Sequence, residues 1–254
     1  MALHGRIVRL YQDSDNLYYR STFPSANLTS SSLPLSTEDD TLPLLRHYLN
    51  LGPNLTQLYT QWSANDANFS RKAPKFTGIR VLKQDAWEAL VGFICSSNNN
   101  IIRISQMIDK LCIHYGPLLG SVEEQDYYDF PTPATLAQPG VEQKLRGLGF
   151  GYRAKYLYRT ACMLAEKESG WLDGLRNPES PVFGTEPSSG GEFVEQGREG
   201  YRKAHEELLA LQGVGPKVAD CVCLMGLGWG EAVPIDTHGK RTHASVAEHS
   251  LTTE

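Results

Sequence analysis

Lys217 and Asp236 are the two side chains whose surroundings in this sequence suggest covalent chemistry. Lys217 follows Pro216 and the Gly213-Val214-Gly215 triplet in the run LQGVGPKVADC. Proline suits the first position of a helix, where its missing N–H would be unpaired anyway, so Lys217 falls in a first helical turn. The positive end of the helix dipole repels an ammonium group there, and partial burial would disfavour the charge further. An amine that gives up its proton more readily is a better nucleophile for a Schiff base. Asp236 follows in VPIDTH. Aspartate is a good helix N-cap, and its carboxylate can also face a developing cation. Cys221 lies one helical turn beyond Lys217 and on the same face. The same spacing also fits a structural helix pair with a surface lysine, a capping aspartate and a buried cysteine, the common fate of that residue.

These groups need a helix–hairpin–helix to carry them. The stretch from Tyr201 reads as a first helix with Leu208, Leu209 and Leu211 on its apolar face. Gly213 can take the left-handed conformation that ends it. The second helix carries Val218, Ala219, Val222 and Met225. Bare amides at the hairpin and at the start of that helix suit an anion, and a nucleic-acid phosphate is one candidate.

Upstream, residues 5 to 23 read as a β-hairpin turning at Asp13-Ser14-Asp15-Asn16, and residues 27 to 38 as a polar linker. Helical periodicity begins near Leu42 and dominates afterwards. Leu44, Leu45, Tyr48 and Leu49 make one stripe, and Leu55, Leu58, Tyr59 and Trp62 another. Asp85 can cap a helix that buries Trp87, Leu90, Val91, Phe93 and Ile94. Asn98-Asn99-Asn100 breaks it and can cap the next, which carries Ile101, Ile104, Met107, Ile108 and Leu111. Gly147 to Gly151 is a flexible turn before a helix starting near Tyr152. Residues 177–199 are rich in Pro, Gly, Ser and Glu, which reads as a disordered insertion in a surface loop.

A chain of 254 residues suffices for one large or two modest domains. Its formal net charge of −5 argues mildly against a nucleic-acid partner. Charge is unevenly placed, however. Residues 141 to 167 hold Lys144, Arg146, Arg153, Lys155, Arg159 and Lys167 against only Glu142 and Glu166. Local surface outweighs the total, because salt screens fields beyond about 10 Å. The five cysteines match neither a zinc site nor an iron–sulfur loop, so no metal centre is expected. Their odd number and the lack of a signal peptide read as reduced, intracellular thiols. No apolar run approaches a membrane span.

LQGVGPKVADC with VPIDTH downstream resembles the helix–hairpin–helix/Gly-Pro-Asp superfamily of DNA glycosylases. FICSSNNNIIRI, LGFGYRAKY and KVADCVCLMGL resemble its eukaryotic 8-oxoguanine DNA glycosylase/AP lyase branch. The likeness runs from about Leu42 to His238, apart from the insertion, and more weakly over the first hairpin. It implies a mainly α chain, α+β overall, with a remnant of an antiparallel β domain and linker over 1–38. Helical glycosylase domains follow over 39–238, with the helix–hairpin–helix at 201–227, and then a polar tail over 239–254 outside the family pattern.

The resemblance also assigns roles. Lys217 would attack C1′ of a damaged nucleotide and Asp236 would stabilise the cation that develops at the sugar. Asn98 would fill the gap left by an extruded base, Arg103 and Arg153 would read the orphaned cytosine, and Tyr152 would wedge the neighbouring pair apart. Cys221 would lie against the modified purine and His238 near a phosphate, with Gly213, Val214 and Gly215 on the backbone. The implied reaction is removal of 8-oxoguanine opposite cytosine, then β-elimination at the abasic site. The partner is double-stranded DNA containing oxidised guanine, met by a monomer in the nucleus or the mitochondrion, with no membrane. No resident cofactor is implied beyond an optional monovalent cation at the hairpin. Two other readings stand beside it: an inactive helix–hairpin–helix DNA-binding fragment, and a glycosylase for another damaged base. The family pattern stops after His238, and its opening strands have no counterpart before Met1. The resemblance therefore implies a chain truncated at both ends, lacking two walls of the base pocket and selecting 8-oxoguanine poorly.

Overall fold

The computed structural model describes residues 1–24 and 39–235. The chain opens with a three-stranded antiparallel sheet of β1 (Ala2–Leu3), β2 (Arg6–Gln12) and β3 (Leu17–Thr22). Ile7 pairs with Thr22 and Gln12 with Leu17. The turn forms because the Asp13 carboxylate accepts from the amides of Asp15 and Asn16, at 2.8 and 2.7 Å. Such a hairpin needs a partner. Leu3 and Val8 find it in Leu44 and Leu45 of α1 (Thr41–Tyr48), which form a small core of their own. Arg6, buried between these elements, pairs with Asp40 and donates to the Thr41 hydroxyl at 3.1 Å. The linker expected over 27–38 lies outside the described residues.

The second stripe does not reach the main core. It lies on α2 (Leu55–Asn65), which buries no residue. Tyr59 and Trp62 instead meet Phe69 of α3 (Ala67–Lys72) edge-on, at 5.4 and 5.6 Å between ring centroids.

The main core is built on α4 (Ala86–Ser96), capped as expected by Asp85, which accepts from the Glu88 amide at 2.9 Å. Its Leu90, Val91 and Ile94 pack with α5 (Ile101–Tyr115), α8 (Arg153–Glu166), α9 (Glu199–Leu209) and α10 (Pro216–Met225). Gly226, just past α10, lets that helix lie against α4: a Cβ there would come within 3.0 Å of the Ala89 Cβ. Ile101, expected on the buried stripe of α5, is 81% exposed.

Between α5 and α8 the chain makes β4 (Leu118–Val122), β5 (Gln125–Tyr128), α6 (Pro133–Leu136) and α7 (Val141–Gly147). The β4–β5 hairpin departs from the helical expectation. Its turn residues Glu123 and Glu124 both have positive φ, at 53° and 65°. Asparagine and glycine ordinarily mark such a turn, so two glutamates give no signal for it. The hairpin is tied to the first sheet by the Gly5 amide, which donates to the Asp129 carboxylate at 3.0 Å.

Residues 177–199 correct a second expectation. Up to α9 the segment is irregular, but it is anchored at both ends. Asn177, buried, donates from its amide to the Leu227 carbonyl at 2.8 Å and from Nδ2 to the Gly228 carbonyl at 3.0 Å. Arg198 grips Glu231 through Nε and Nη2, at 2.9 and 3.0 Å, and Glu179 through Nη1 at 2.7 Å. Composition biases a segment towards disorder, whereas two anchors close a loop at a cost that grows only slowly with its length.

Candidate active site

The hairpin and the start of α10 form as their sequence dictates. Gly213 has φ +78°, and a Cβ on it would fall 2.6 Å from the ring of Tyr156 on α8. Both facts demand glycine. Val214 turns inward and is buried, which fixes the loop to the core. Gly215 caps α10 in an extended conformation, and Pro216 takes the first position. Lys217, half-buried in the first turn, sends Nζ to 5.5 Å from the centroid of Phe93 on α4. Among the described residues no carboxylate pairs with that amine. An aromatic face is what it meets instead. Nothing in the sequence relates positions 93 and 217; only the packing of α10 on α4 does.

Phe93 stands one turn before the corner where α4 ends. Asn98, Asn99 and Asn100 have three different tasks there. Asn100 caps α5, accepting from the Arg103 amide at 2.9 Å. Asn99 folds back, donating from Nδ2 to the Cys95 carbonyl at 2.9 Å. Asn98 is exposed at φ +47°, a left-handed conformation that asparagine tolerates better than most residues. Of the three, it is the one whose side chain has no hydrogen-bond partner among the described residues. Arg103 lies beside it, exposed, with Nη2 donating to the Gly149 carbonyl at 3.2 Å. Tyr152 is also exposed, and its hydroxyl donates to the Ser97 carbonyl at 3.1 Å.

Arg153 lies behind the corner. Expected as a second reader of a base, it is 3% exposed. Its Nη2 donates to the carbonyls of Ser97 and of Asn98, the latter at 3.0 Å, and its guanidinium stacks 4.6 Å from the Tyr152 ring. Buried Nε has no partner. In this conformation Arg153 braces the corner from behind. Cys221 sits one turn beyond Lys217, as the spacing requires, and is buried at 3% exposure. Asp236 and His238 lie outside the described residues.

The basic run at 141–167 is partly spent on internal contacts. Arg146 pairs with Glu142 at 2.8 Å, and Lys144 and Lys167 lie over Tyr115 and Trp171, at 4.8 and 4.6 Å. Lys155 and Arg159 point elsewhere: with Gln212 they line a depression of about 450 Å³ beside the hairpin. Among the described residues, no three His, Cys, Asp or Glu side chains are grouped to hold a metal ion. The described helices include none long and apolar enough to cross a membrane.

A glycine hairpin, a lysine at the following helix start and an outward asparagine corner are thus brought onto linked elements. Residues 91–248 match the family model described as HhH-GPD superfamily base excision DNA repair protein, which is more than half of the chain. The chain belongs to that superfamily. Residues 1–90 of this HhH-GPD protein match the model described as 8-oxoguanine DNA glycosylase, N-terminal domain. It is 40% identical over 198 residues to an N-glycosylase/DNA lyase of Saccharomyces cerevisiae, covering 78% of this chain and 49% of the yeast protein. It is 35% identical over 219 residues to the N-glycosylase/DNA lyase OGG1 of Arabidopsis thaliana, covering 85% and 54%. The HhH-GPD chain spans about half the length of these curated relatives. Its fold resembles MBOgg1, solved with a low-affinity DNA ligand, at a TM-score of 0.73 and 27% identity over 96% of this chain and 71% of that one. It also resembles Clostridium acetobutylicum 8-oxoguanine glycosylase/lyase, solved on double-stranded DNA with cytosine opposite 8-oxoG. There the TM-score is 0.69 and the identity 25%, over 94% and 69% of the two chains.

Proposed function

We propose that this HhH-GPD protein is a bifunctional DNA glycosylase and lyase that removes 8-oxoguanine opposite cytosine from duplex DNA. The observation that carries the reading is the position of Lys217: directly after a glycine hairpin, half-buried, over an aromatic ring and with no carboxylate partner among the described residues. A pure phosphate binder has no use for an amine recessed in this way. The names of the yeast and Arabidopsis relatives, and the ligand of the Clostridium structure, support the lyase activity and the lesion.

In this mechanism the hairpin amides take a backbone phosphate and Asn98 occupies the vacated stack while Tyr152 parts the neighbouring pair. Arg103 donates to the acceptor edge of the orphaned cytosine. The amine of Lys217 forms a bond to C1′ as the bond to the base breaks, and the electron pair leaves with the base. Asp236 faces the positive charge that develops at the sugar. Ring opening gives an imine, and loss of a proton from C2′ expels the 3′ phosphate. No redox cofactor is required. A monovalent cation at the hairpin would be held by backbone carbonyls. The Leu211 carbonyl fits such a role, since it accepts only a long contact of 3.4 Å from the Val214 amide. The cation would add positive charge beside the phosphate. We propose the nucleus or the mitochondrion, where such DNA is held, as its place of work.

Borohydride trapping on an 8-oxoguanine·C duplex tests the reading. The chain should give a covalent complex and Lys217→Gln none. Affinity for undamaged duplex should stay within about threefold, because phosphate contacts carry non-specific binding. Equal trapping by the variant would remove Lys217 from the chemistry. A chain that binds duplex but never traps it is a DNA-binding module.

A further inference from the structure

We propose that α8 is a strut that holds the phosphate hairpin at a set offset from the Asn98 corner, with Tyr156 and Thr160 as its positioning residues. Tyr152, Tyr156 and Thr160 are spaced four apart and share one face. At one end the Tyr152 hydroxyl donates to the Ser97 carbonyl at 3.1 Å, next to Asn98. The Tyr152 ring meets that of Tyr156 edge-on, with centroids 5.8 Å apart. Tyr156 in turn lies directly beneath Gly213, so closely that a Cβ there would sit 2.6 Å from its Cγ. One turn on, fully buried Thr160 donates from Oγ1 to the Gln212 carbonyl at 2.9 Å. The three side chains thus connect the residue before the corner to the residues that open the hairpin. A helix rises 1.5 Å per residue, which sets the two ends about 12 Å apart.

The consequence follows from where Lys217 stands. The hairpin leads straight into α10, so any shift of the hairpin relative to the corner moves the amine relative to a base extruded at Asn98. A misplacement of about 1 Å can cost roughly 100-fold in rate. The fully buried Ala154, Leu157 and Ala161 seat α8 in the core, and the partly buried Tyr156 ring packs against that core while also lying under the hairpin.

The substrate used to test this rests on the glycosylase–lyase reading, so one readout must not. Tyr156→Leu and Thr160→Val should each slow single-turnover borohydride trapping on 8-oxoguanine·C duplex by about ten- to a hundredfold per folded molecule. Binding of undamaged duplex should stay within about threefold. Amide hydrogen exchange at residues 213–217 should quicken, while that of α4 does not. Tyr156→Phe, which keeps the ring, should retain the parental rate and protection. Tyr156→Leu carries the test alone if Thr160→Val fails to fold. Unchanged exchange at 213–217 overturns the strut. So does a loosened hairpin that still traps at the parental rate, or a Tyr156→Phe variant as slow as Tyr156→Leu. If the parent chain traps no DNA, the glycosylase–lyase reading falls, and exchange at 213–217 alone decides the strut.

Discussion

The two arginines at the corner show how far residue type falls short of role. Arg103 and Arg153 are alike in the sequence, yet one is exposed against the Gly149 carbonyl and the other is buried behind Ser97 and Asn98. The exposed one, Arg103, is the residue proposed above to read the orphaned cytosine. Each good side-chain-to-base pairing gives about 1–3 kcal/mol of discrimination. Arg103→Ala should therefore lower the preference for cytosine over adenine opposite 8-oxoguanine by that amount. Binding to undamaged duplex should fall much less. Competition between the two lesion pairs measures it, and an equal fall on undamaged DNA would make Arg103 a phosphate contact. The asparagines divide in the same way: among the described residues only the Asn98 side chain is without a hydrogen-bond partner, because Asn99 and Asn100 are used by the backbone around it.

Among the elements, α5 depends most visibly on its cap. Asn100 accepts from the amide of Arg103 itself, so the cap and the reader share a residue. Asn100→Ala should cost about 1 kcal/mol of stability, the usual value for a lost N-cap. Asn100→Asp, which keeps the acceptor, should cost much less. Urea unfolding of the two variants decides the matter, and equal losses would show that the cap bond is not what stabilises α5. Capping was legible in advance at Asp85 and within the Asn98-Asn99-Asn100 triplet because it needs only a polar residue before an apolar period. The β4–β5 hairpin was not legible, since its turn is made by two glutamates in a conformation that glutamate does not advertise. The α2 stripe was legible as a helix but not as one that packs on α3 rather than on the main core.

At the scale of the molecule, the irregular segment at 177–199 is joined to the end of the helix–hairpin–helix by Arg198 and Glu231. Both side chains are largely buried, and the hydrogen bonds from Arg198 hold the Glu231 carboxyl below its ordinary value of 4.5. A carboxyl with a depressed folded pKa stabilises the fold fully above its unfolded value. That stabilisation is lost as pH falls below about 4.5, through the folded value. Glu231→Gln should cost about 1.5–3 kcal/mol at pH 7, the range for hydrogen bonds to charged groups. The gap between variant and parent should narrow in acid. Denaturant unfolding at pH 7 and at pH near 3 checks both parts, and a gap independent of pH would mean that the pair contributes packing rather than charge.

The sequence by itself determined whatever depends on neighbours within a turn or two. The hairpin glycines, Pro216, the first-turn Lys217, the caps and the helical order all follow from backbone geometry that a few adjacent residues impose. The family was legible too, because its motifs are short and local. Only the tertiary structure decided relations between distant residues: Phe93 beneath Lys217, Tyr156 beneath Gly213, Arg153 turned inward, and the two pins on the 177–199 segment. Each arises where one helix surface meets another. A pattern of period 3.6 says which face of a helix is buried, but not which residues of another helix it will meet.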